Sequence, residues 1–381
     1  MRILRELGFA LCLLLLVSPV KTSVAEWIGA SITIDENGNV ISDMPDPPLR
    51  KVGTIYYLTD DIRIVTRRDG MVIKKSDIII DGNGHIIRGS CVGDERGILL
   101  EKVRNVTLRN VKVQDFVGGI FFYFSSNNHI VNCTFTGNVF AGITLSYSNN
   151  NSIVNCTVSN NKFGIISAYS YDNSLYYNNF ISNGVHAYCI DSKNTWDNYY
   201  PSGGNYWSDY TGEDCRSGLN QDEPGADSIW DEPYVISVNN RDYYPLVTPY
   251  GTARFRVSDL SISPDTVNAG RASTISVKVK HVYGSSGSYE VKLKVNDQVV
   301  DTKKVTLGPG KSIVVNFTYT PGSEGSYIID VNGLTGSLRA SKEEPPWLLI
   351  IAVVTMTIII LLVTRRRIRR NNQYANPSVY L

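Results

Sequence analysis

The feature that most constrains the fold of this chain is a tandem repeat of 22–23 residues. Four segments, starting at Asn105, Asn128, Asn151 and Asn173, each contain short β-branched runs separated by Asn, Ser and Gly. Three short strands and three turns fill one coil of this length. The repeat therefore predicts an all-β solenoid, a right-handed parallel β-helix, in which each coil buries its inward side chains against the next. A propeller blade needs about 40 residues and a leucine-rich repeat needs its leucine consensus, so neither fits.

Aligning the repeats, with starts 23, 23 and 22 residues apart, predicts columns of equivalent side chains about 4.8 Å apart along the solenoid. The predicted columns are Ile130, Ile153 and Leu175; Phe135, Val158 and Phe180; Asn110, Cys133, Cys156 and Asn178; Asn128, Asn151 and Asn173; and a repeated turn at Gly119, Gly142 and Gly164. Stacked asparagines are expected to hydrogen-bond side chain to side chain. We interpret Cys133 and Cys156 as small buried residues. A disulfide between them is the alternative, although parallel Cβ vectors give it poor geometry.

Composition and apolar runs divide the chain into segments. Residues 1–25 have Arg2 and Arg5 before a run of about a dozen apolar residues and a small-x-small site, which predicts a secretory signal. Residues 26–250 are assigned to the β-helix with its N-terminal and C-terminal caps. From Thr252, strand-like runs with turn signals every 8–12 residues predict an immunoglobulin-like β-sandwich over residues 252–340.

Residues 346–364 are predicted to be a transmembrane helix, because Trp347–Val363 is an uncharged apolar run long enough for a bilayer core. The basic tail, residues 365–381, follows at once, and positive charge beside a span stays in the cytoplasm. The expectation is a single-pass cell-membrane protein with its ectodomain outside. With +2 on residues 1–25 and +5 on the tail against a total of +1, the remainder carries −6. This charge argues against nucleic acid as a partner.

Three segments resemble the NosD-type family of secreted right-handed β-helix proteins, which includes many archaeal surface proteins. They are "SITIDENGNV" with "YYLTDDI" and "IIIDGNGHII"; the coils "NCTFTGN" and "NCTVSNN"; and "WDNYYPSGGNYWSDYTGED" with "NQDEPGADSIWDEPYVI" and "NNRDYYPL". The resemblance covers residues from about Ile28 to Pro249, and residues 252–340 look like an adhesion-type sandwich. The resemblance to the NosD-type family implies carbohydrate binding and sometimes sugar hydrolysis. The family name implies copper, which a chain with four His and four Met does not support.

Two sets of residues on the coils are candidate sites. Asp81 and His85, in "DGNGH", are weak catalytic candidates, because the same residues fit a β-turn in an early coil. Phe124, Tyr147 and Tyr169 form an aromatic column and are carbohydrate-binding candidates, since stacked outward rings offer a flat platform to sugar faces. Packing of these rings in the core is the alternative that the sequence leaves open.

The segment Gly203–Tyr234, which follows the last repeat, is rich in carboxylates and glycines. Three interpretations stay open: a cap without metal, a cap stabilised by calcium, and a catalytic cleft. Oxygen-rich loops suit Ca²⁺, and the candidate ligands are Asp209, Asp214, Asp222, Asp227 and Asp231. Five cysteines remain beyond the signal, and Cys189 and Cys215 are candidates for a disulfide that joins the cap to the last coil.

The leading hypothesis for function is non-catalytic recognition of a polysaccharide or surface glycoprotein by a membrane-anchored protein. It follows from a repetitive stacked face without a converging pair of acids, which sugar hydrolysis requires. One alternative is a polysaccharide hydrolase or lyase. Another is a NosD-like factor for maturation of an extracytoplasmic copper enzyme.

Overall fold

The computed structural model describes residues 27–29, 31–342 and 346–374, so the predicted signal over residues 1–25 lies outside the described residues. The strands between Trp27 and Trp207 form three sheets. Apart from one antiparallel pair in each of two sheets near the N-terminal end, neighbouring strands come from successive coils and run parallel. The parallel β-helix predicted from the repeat is confirmed. It forms because each coil leaves unpaired backbone groups and an apolar inner surface that only another coil can cover.

The three sheets have eight strands each. Sheet 1 contains Trp27–Gly29, Ile62–Ile64, Ile86–Arg88, Lys112–Gln114, Thr134–Thr136, Thr157–Ser159, Asn179–Ile181 and Tyr206–Trp207. Sheet 2 contains Ile32–Ile34, Val40–Ser42, Met71–Ile73, Arg96–Glu101, Gly118–Tyr123, Ala141–Ser146, Phe163–Ala168 and Val185–Ile190. Sheet 3 contains Leu49–Val52, Ile55–Leu58, Ile79–Asp81, Thr107–Arg109, His129–Val131, Ser152–Val154, Tyr171–Tyr176 and Lys193–Thr195.

The core is built from inward residues that stack in register. Ile130, Ile153 and Leu175 pair directly across successive coils of sheet 3 and are fully buried, as the sequence predicts. The column of Phe135, Val158 and Phe180 in sheet 1 is confirmed in the same way. Burial of each such side chain contributes about 1.5–3 kcal/mol relative to exposure. Because every coil adds one residue to each column, stability accumulates along the solenoid.

The predicted column that contains the cysteines is shifted by one residue at its first member. Asn110 pairs with Asn132, whose Nδ2 donates to Asn110 Oδ1 at 2.8 Å. The residue that precedes Cys133 in the buried column is Val111, because Thr107 pairs with His129 and the first coil is therefore 22 residues long rather than 23. Cys133 and Cys156 are buried free thiols, which confirms their structural interpretation.

The predicted asparagine ladder is confirmed. Asn128 Nδ2 donates to Asn151 Oδ1 at 3.0 Å, and Asn151 Nδ2 donates to Asn173 Oδ1 at 3.0 Å. Asn194 extends the ladder by one coil, since its Oδ1 accepts from Asn173 Nδ2 at 2.9 Å. A second ladder runs through Asn138, Asn161 and Asn183. The ladders satisfy amides that would otherwise be buried without partners at the solenoid turns.

The prediction of a turn at the three repeated glycines is wrong. Gly119, Gly142 and Gly164 are each the second residue of a sheet 2 strand. Glycine is required there for close approach: a Cβ on Gly142 would lie 2.6 Å from Val158 Cγ1 and 2.9 Å from the carbonyl oxygen of Gly164. The repeated glycines therefore make room for the core rather than bend the chain.

Both ends of the solenoid are closed by local structure. At the N-terminal end, Val40–Ser42 pairs antiparallel with Ile32–Ile34, and Leu49–Val52 pairs antiparallel with Ile55–Leu58. At the C-terminal end, the buried side chains of Trp196 and Trp207 extend the core. Two antiparallel hairpins follow, formed by Arg216–Ser217 with Glu223–Pro224 and by Tyr234–Ser237 with Asn240–Asp242. Such caps protect sheet edges from pairing with other chains.

The remaining strands form two sheets of a β-sandwich, as the sequence predicts. The three-stranded sheet contains Arg254–Ser263, Ser273–Tyr283 and Ser312–Tyr319, and the five-stranded sheet contains Thr266–Asn268, Gly287–Val295, Gln298–Leu307, Gly325–Val331 and Leu334–Ser341. Burial alternates along the strands: Ile275, Val277 and Val279 are buried, and the residues between them are not. This alternation is that of sheets with one face on a core.

One helix, Pro346–Tyr374, is described after the sandwich and contains the apolar run of the predicted span. The transmembrane helix predicted over residues 346–364 is not confirmed, since none of the helices within the described residues meets the length and hydropathy required for a membrane crossing.

Candidate functional site

An exposed stack of three aromatic rings lies on the solenoid. Phe124, Tyr147 and Tyr169, here called the aromatic column, each follow the end of a sheet 2 strand. The rings of Phe124 and Tyr147 have centroids 5.0 Å apart and an interplanar angle of 6°; for Tyr147 and Tyr169 the values are 5.0 Å and 8°. The three side chains are 49%, 48% and 43% exposed, so the alternative of packing in the core is wrong.

The backbone explains why these rings point outward. Phe124, Tyr147 and Tyr169 have φ values of 47°, 50° and 50°, in the left-handed region. A non-glycine residue pays about 1–2 kcal/mol for this conformation. Contacts between neighbouring rings stabilise the fold by about 0.5–1.5 kcal/mol per pair. Stacking along the solenoid thus offsets the strain of the turn and holds the rings as one flat surface.

Polar residues border the aromatic column at both ends. The strand register places Lys102 one coil before Phe124 and Asp191 one coil after Tyr169, and both also have positive φ. Asp191 Oδ1 accepts a hydrogen bond from Tyr171 Oη at 3.0 Å. The column is therefore an apolar strip of three rings between a cation and an anion.

A second aromatic group on the outside of the solenoid escaped the sequence analysis. Phe140 and Phe163 have centroids 5.4 Å apart, and Phe163 and Tyr188 have centroids 5.8 Å apart. Lys162 Nζ lies 5.9 Å and 5.7 Å from the centres of the Phe140 and Phe163 rings. The signal that could have revealed the group is a phenylalanine one or two residues before the repeated glycine in two successive repeats, Phe140 before Gly142 and Phe163 before Gly164.

Asp81 and His85 occupy separate hydrogen-bond networks. Asp81 accepts from Arg109 Nε at 2.8 Å and from Asn110 Nδ2 at 3.0 Å, whereas His85 Nδ1 lies 3.1 Å from Asp61 Oδ1. Burial raises the pKa of Asp81, but hydrogen bonds from the Asn83 amide, Asn110 and Arg109 outweigh it and hold the pKa below its usual value. These hydrogen bonds favour the interpretation of Asp81 as a residue of a β-turn, which was the alternative to a catalytic role.

The aspartates proposed as calcium ligands hold the C-terminal cap together through backbone amides. Asp214 accepts from the N–H groups of Asp227 and Ser228 at 2.9 and 3.1 Å, and Asp231 accepts from those of Cys215 and Arg216. Asp222 is exposed in the cap, and Asp209 lies apart from these pairs, with its Oδ1 3.2 Å from His186 Nε2. Within the described ranges no three His, Cys, Asp or Glu side chains converge as a metal site. The arrangement is that of a cap built on hydrogen bonds.

The disulfide predicted between Cys189 and Cys215 is wrong, because all five cysteines in the described part of the chain are free. Cys189 lies on the last strand of sheet 2, and burial raises its pKa to about 11. Cys215 Sγ lies 3.1 Å from Asp231 Oδ2 in the cap; burial and then this carboxylate raise its pKa to about 12. Hydrogen bonds rather than a covalent bond close this end of the solenoid.

Family comparisons agree with the architecture. Residues 31–212 match the family described as periplasmic copper-binding protein (NosD), and residues 252–333 match the CARDB family. Residues 31–212 are a NosD-type β-helix. A CARDB domain follows it, and this is the immunoglobulin-like sandwich. Among curated proteins, none matches the chain significantly.

The NosD description names copper, and Cys133, Cys156 and His186 of this β-helix are engaged in other contacts. Cys133 and Cys156 donate to backbone carbonyls inside the core, and burial raises the pKa of Cys133 far above its usual value. Copper binds thiolate, thioether and imidazole ligands, and among the residues that the structure describes no three His, Cys, Asp or Glu side chains converge on one point. In the second ladder, Asn183 Oδ1 accepts a hydrogen bond from Asn161, which leaves Asn183 Nδ2 facing His186. The Nδ1 atom of His186 therefore accepts a hydrogen bond from Asn183 Nδ2. These residues do not fit a copper site, and no copper chemistry is assigned to the NosD-type β-helix here.

Several solved structures resemble parts of the chain. The CARDB domain of the PF1109 protein from Pyrococcus furiosus, in complex with di-metal ions, is 24% identical, covers 25% of this chain and 100% of its own, and has a TM-score of 0.22. The β-glucosidase EmGH1 from Erythrobacter marinus is 17% identical over 28% of this chain, with a TM-score of 0.23. A Listeria innocua β-glucosidase in complex with glucose is 15% identical over 29%, with a TM-score of 0.23. This chain spans 18% and 19% of the two β-glucosidases. Scores this low carry no argument about a site.

Proposed function

We propose that the protein binds a polysaccharide without cleaving it, and that the aromatic column is the contact surface. The observation that carries this proposal is the parallel, exposed stack of Phe124, Tyr147 and Tyr169, with centroids 5.0 Å apart. The apolar faces of sugar rings pack on aromatic rings, and a repeated row of rings suits a ligand that is itself a repeat. Rings held by the backbone also lose little conformational freedom on binding.

Binding without cleavage fits the acids near the rings. Glycoside hydrolysis uses two carboxyl groups that flank one bond, about 5–9.5 Å apart. The acid at the end of the aromatic column, Asp191, accepts a hydrogen bond from Tyr171. Asp81 accepts hydrogen bonds from Arg109 and Asn110. A hydrolase or lyase remains the alternative, and release of reducing ends or unsaturated products from a polysaccharide would support it.

A NosD-type β-helix joined to a CARDB domain is consistent with a surface protein. We further propose that the chain acts outside the cytoplasm. The proposal rests on the secretory signal predicted over residues 1–25 and on the apolar run with its arginine tail in the sequence. Fractionation of cells, with protease added to intact cells, would test location and membrane attachment.

The binding proposal is tested with purified full-length protein on an array of plant, microbial and animal polysaccharides. We expect binding to at least one polysaccharide and its loss in the Tyr147→Ala variant, because the middle ring contacts both neighbours. Binding by wild type to none of the polysaccharides, or undiminished binding by Tyr147→Ala, would contradict the proposal.

A further inference from the structure

A cavity of about 530 Å³ lies at the C-terminal end of the solenoid. Its walls come from the last sheet 3 strand, Lys193–Thr195, from the following segment to Tyr199, and from the hairpin Tyr234–Asp242. This volume is in the range of small-molecule sites, about 300–1,000 Å³. We call it the end pocket.

The walls of the end pocket are held in place by buried hydrogen bonds. Asn240, from the hairpin, accepts from the backbone N–H of Asn194 at 2.9 Å and from Trp196 Nε1 at 3.1 Å. Asp197 joins the two sides, since its Oδ1 accepts from the Tyr199 N–H and its Oδ2 accepts from the Tyr243 N–H, both at 3.1 Å. The pocket is therefore formed before any ligand arrives, which reduces the entropy lost on binding.

The end pocket presents two cations and two exposed aromatic side chains. Lys193 and Arg241 line it, and in the described part of the chain neither makes an ion pair with a carboxylate. Tyr199 and Tyr243 are 68% and 55% exposed at its wall. The buried Asp197 is already used by backbone amides. The groups left for a ligand are thus positive charge and aromatic surface.

The end pocket continues toward the aromatic column. A second cavity of about 440 Å³ is lined by Tyr171, Asp191 and Lys193, among others. It shares Lys193, Val238 and Asn239 with the end pocket. Asp191 is also the residue that follows Tyr169 in the column register. A chain of sugars that stacks on the rings can therefore extend into the end pocket along one surface.

We propose that the end pocket binds an anionic sugar, carrying carboxylate or sulfate, within the polysaccharide that stacks on the aromatic column. Lys193 and Arg241 contact the anionic group, and Tyr199 or Tyr243 packs on the ring. This inference rests on the proposed function and adds the substrate class. Charge-assisted hydrogen bonds to a carboxylate or sulfate are about twice as strong as neutral ones, so the acidic sugar is the preferred occupant.

The test compares probes that share a backbone and differ in charge. Binding of full-length protein is measured for polygalacturonate against its methyl ester, and for dextran sulfate against dextran. We expect wild type to prefer at least one charged form by about tenfold or more, the effect of one to two charge-assisted contacts. The Lys193→Ala/Arg241→Ala variant is expected to lose that preference. The matched control, Arg50→Ala/Arg67→Ala, removes two exposed arginines near the N-terminal end and is expected to keep it.

The outcomes separate this inference from the function on which it rests. Equal binding of charged and uncharged forms by wild type, or a preference that survives in Lys193→Ala/Arg241→Ala, overturns the end-pocket inference even when Tyr147→Ala abolishes binding. A charge preference that depends on Lys193 and Arg241 but is unaffected by Tyr147→Ala supports the pocket and contradicts the column. A polygalacturonate preference identifies carboxylate as the anion, and a dextran sulfate preference identifies sulfate. Thermal midpoints of all variants check folding.

Discussion

Asn151 donates two hydrogen bonds to a single atom of Asn173, the side-chain oxygen Oδ1. The Nδ2 group of Asn151 donates to Asn173 Oδ1 at 3.0 Å, and the backbone N–H of Asn151 donates to the same oxygen at 2.8 Å. Asn151 Nδ2 also donates to the carbonyl oxygen of Ser125 at 3.0 Å. Each ladder asparagine therefore connects backbone and side-chain groups of neighbouring coils in a buried turn.

Substitution of Asn151 by Ala should lower the free energy of unfolding by about 2–4 kcal/mol, because it leaves buried partners on two coils without hydrogen bonds. The measurement is chemical denaturation of full-length protein, with the exposed Asn220→Ala variant as control, expected within about 0.5 kcal/mol of wild type. Equal stability of the two variants would show that the ladder is not a structural support.

Substitution of Gly142 by Ala should destabilise the β-helix by about 1–3 kcal/mol, since the added Cβ meets Val158 and the Gly164 carbonyl inside a packed core. The control is Gly53→Ala, where no atom lies within 4 Å of the added Cβ. Because Gly53 has φ of 61°, it reports backbone strain without a steric clash. A free energy of unfolding for Gly142→Ala within about 0.5 kcal/mol of wild type would contradict the close-approach explanation.

If stacking of the Tyr147 ring carries binding, Tyr147→Phe should preserve polysaccharide affinity. Tyr147→Ala should lower the affinity about tenfold or more, because rigid aromatic anchors commonly contribute at least about 1–2 kcal/mol. Isothermal titration with the polysaccharide identified on the array gives both values. The exposed Tyr188 lies outside both the aromatic column and the end pocket, so Tyr188→Phe serves as a control for loss of a hydroxyl elsewhere. A loss in Tyr147→Phe equal to that in Tyr147→Ala would assign binding to the hydroxyl.

Stability of the C-terminal cap should decline as the pH rises from 5 to 8. Burial, together with Asp227 and Asp231, raises the pKa of Asp214 to about 7, and burial raises the pKa of Asp227 to about 6. A carboxyl group with a raised folded-state pKa stabilises the fold fully below its unfolded pKa, near 3.8, and this stability is lost as pH rises through 6–7. Burial lowers the pKa of His186, and this group acts in the opposite direction.

The pH effect is therefore measured as a difference between variants. Between pH 5 and 8 the thermal midpoint of wild type should fall, and that of Asp214→Asn should fall less. Asp222→Asn, at an exposed position, should follow wild type. If Asp214→Asn and wild type respond identically, the Asp214 carboxyl does not control the stability of the cap.

Removal of divalent cations should leave the thermal midpoint unchanged, because Asp214 and Asp231 are bound to backbone amides. Asp231→Ala should instead destabilise the protein by about 1–3 kcal/mol by removing the acceptor of two amides. Thermal denaturation with and without EDTA is the measurement, and Asp222→Ala is the matched control. A midpoint that falls in EDTA and recovers with added calcium would contradict this prediction and support the calcium interpretation.

Much of the β-helix could be predicted because its period is local. Inward residues such as Ile130 and Ile153 recur at the coil length, and coils must stack to bury them. The prediction at Asn110 is wrong because the asparagine that starts each segment does not mark the coil length; pairing follows the inward residues, such as Leu108 with Ile130.

The sequence by itself therefore determined the solenoid, its main columns and the asparagine ladder, since each follows from spacing along one chain. Only the tertiary structure decided where Tyr147 points, because a left-handed turn, not the repeat, turns its ring outward. The same holds for Asp231, which binds amides of its own cap, and for Lys193 and Arg241, which line one pocket because a hairpin folds back on the last coil. These contacts join segments that no period relates, so their geometry depends on packing.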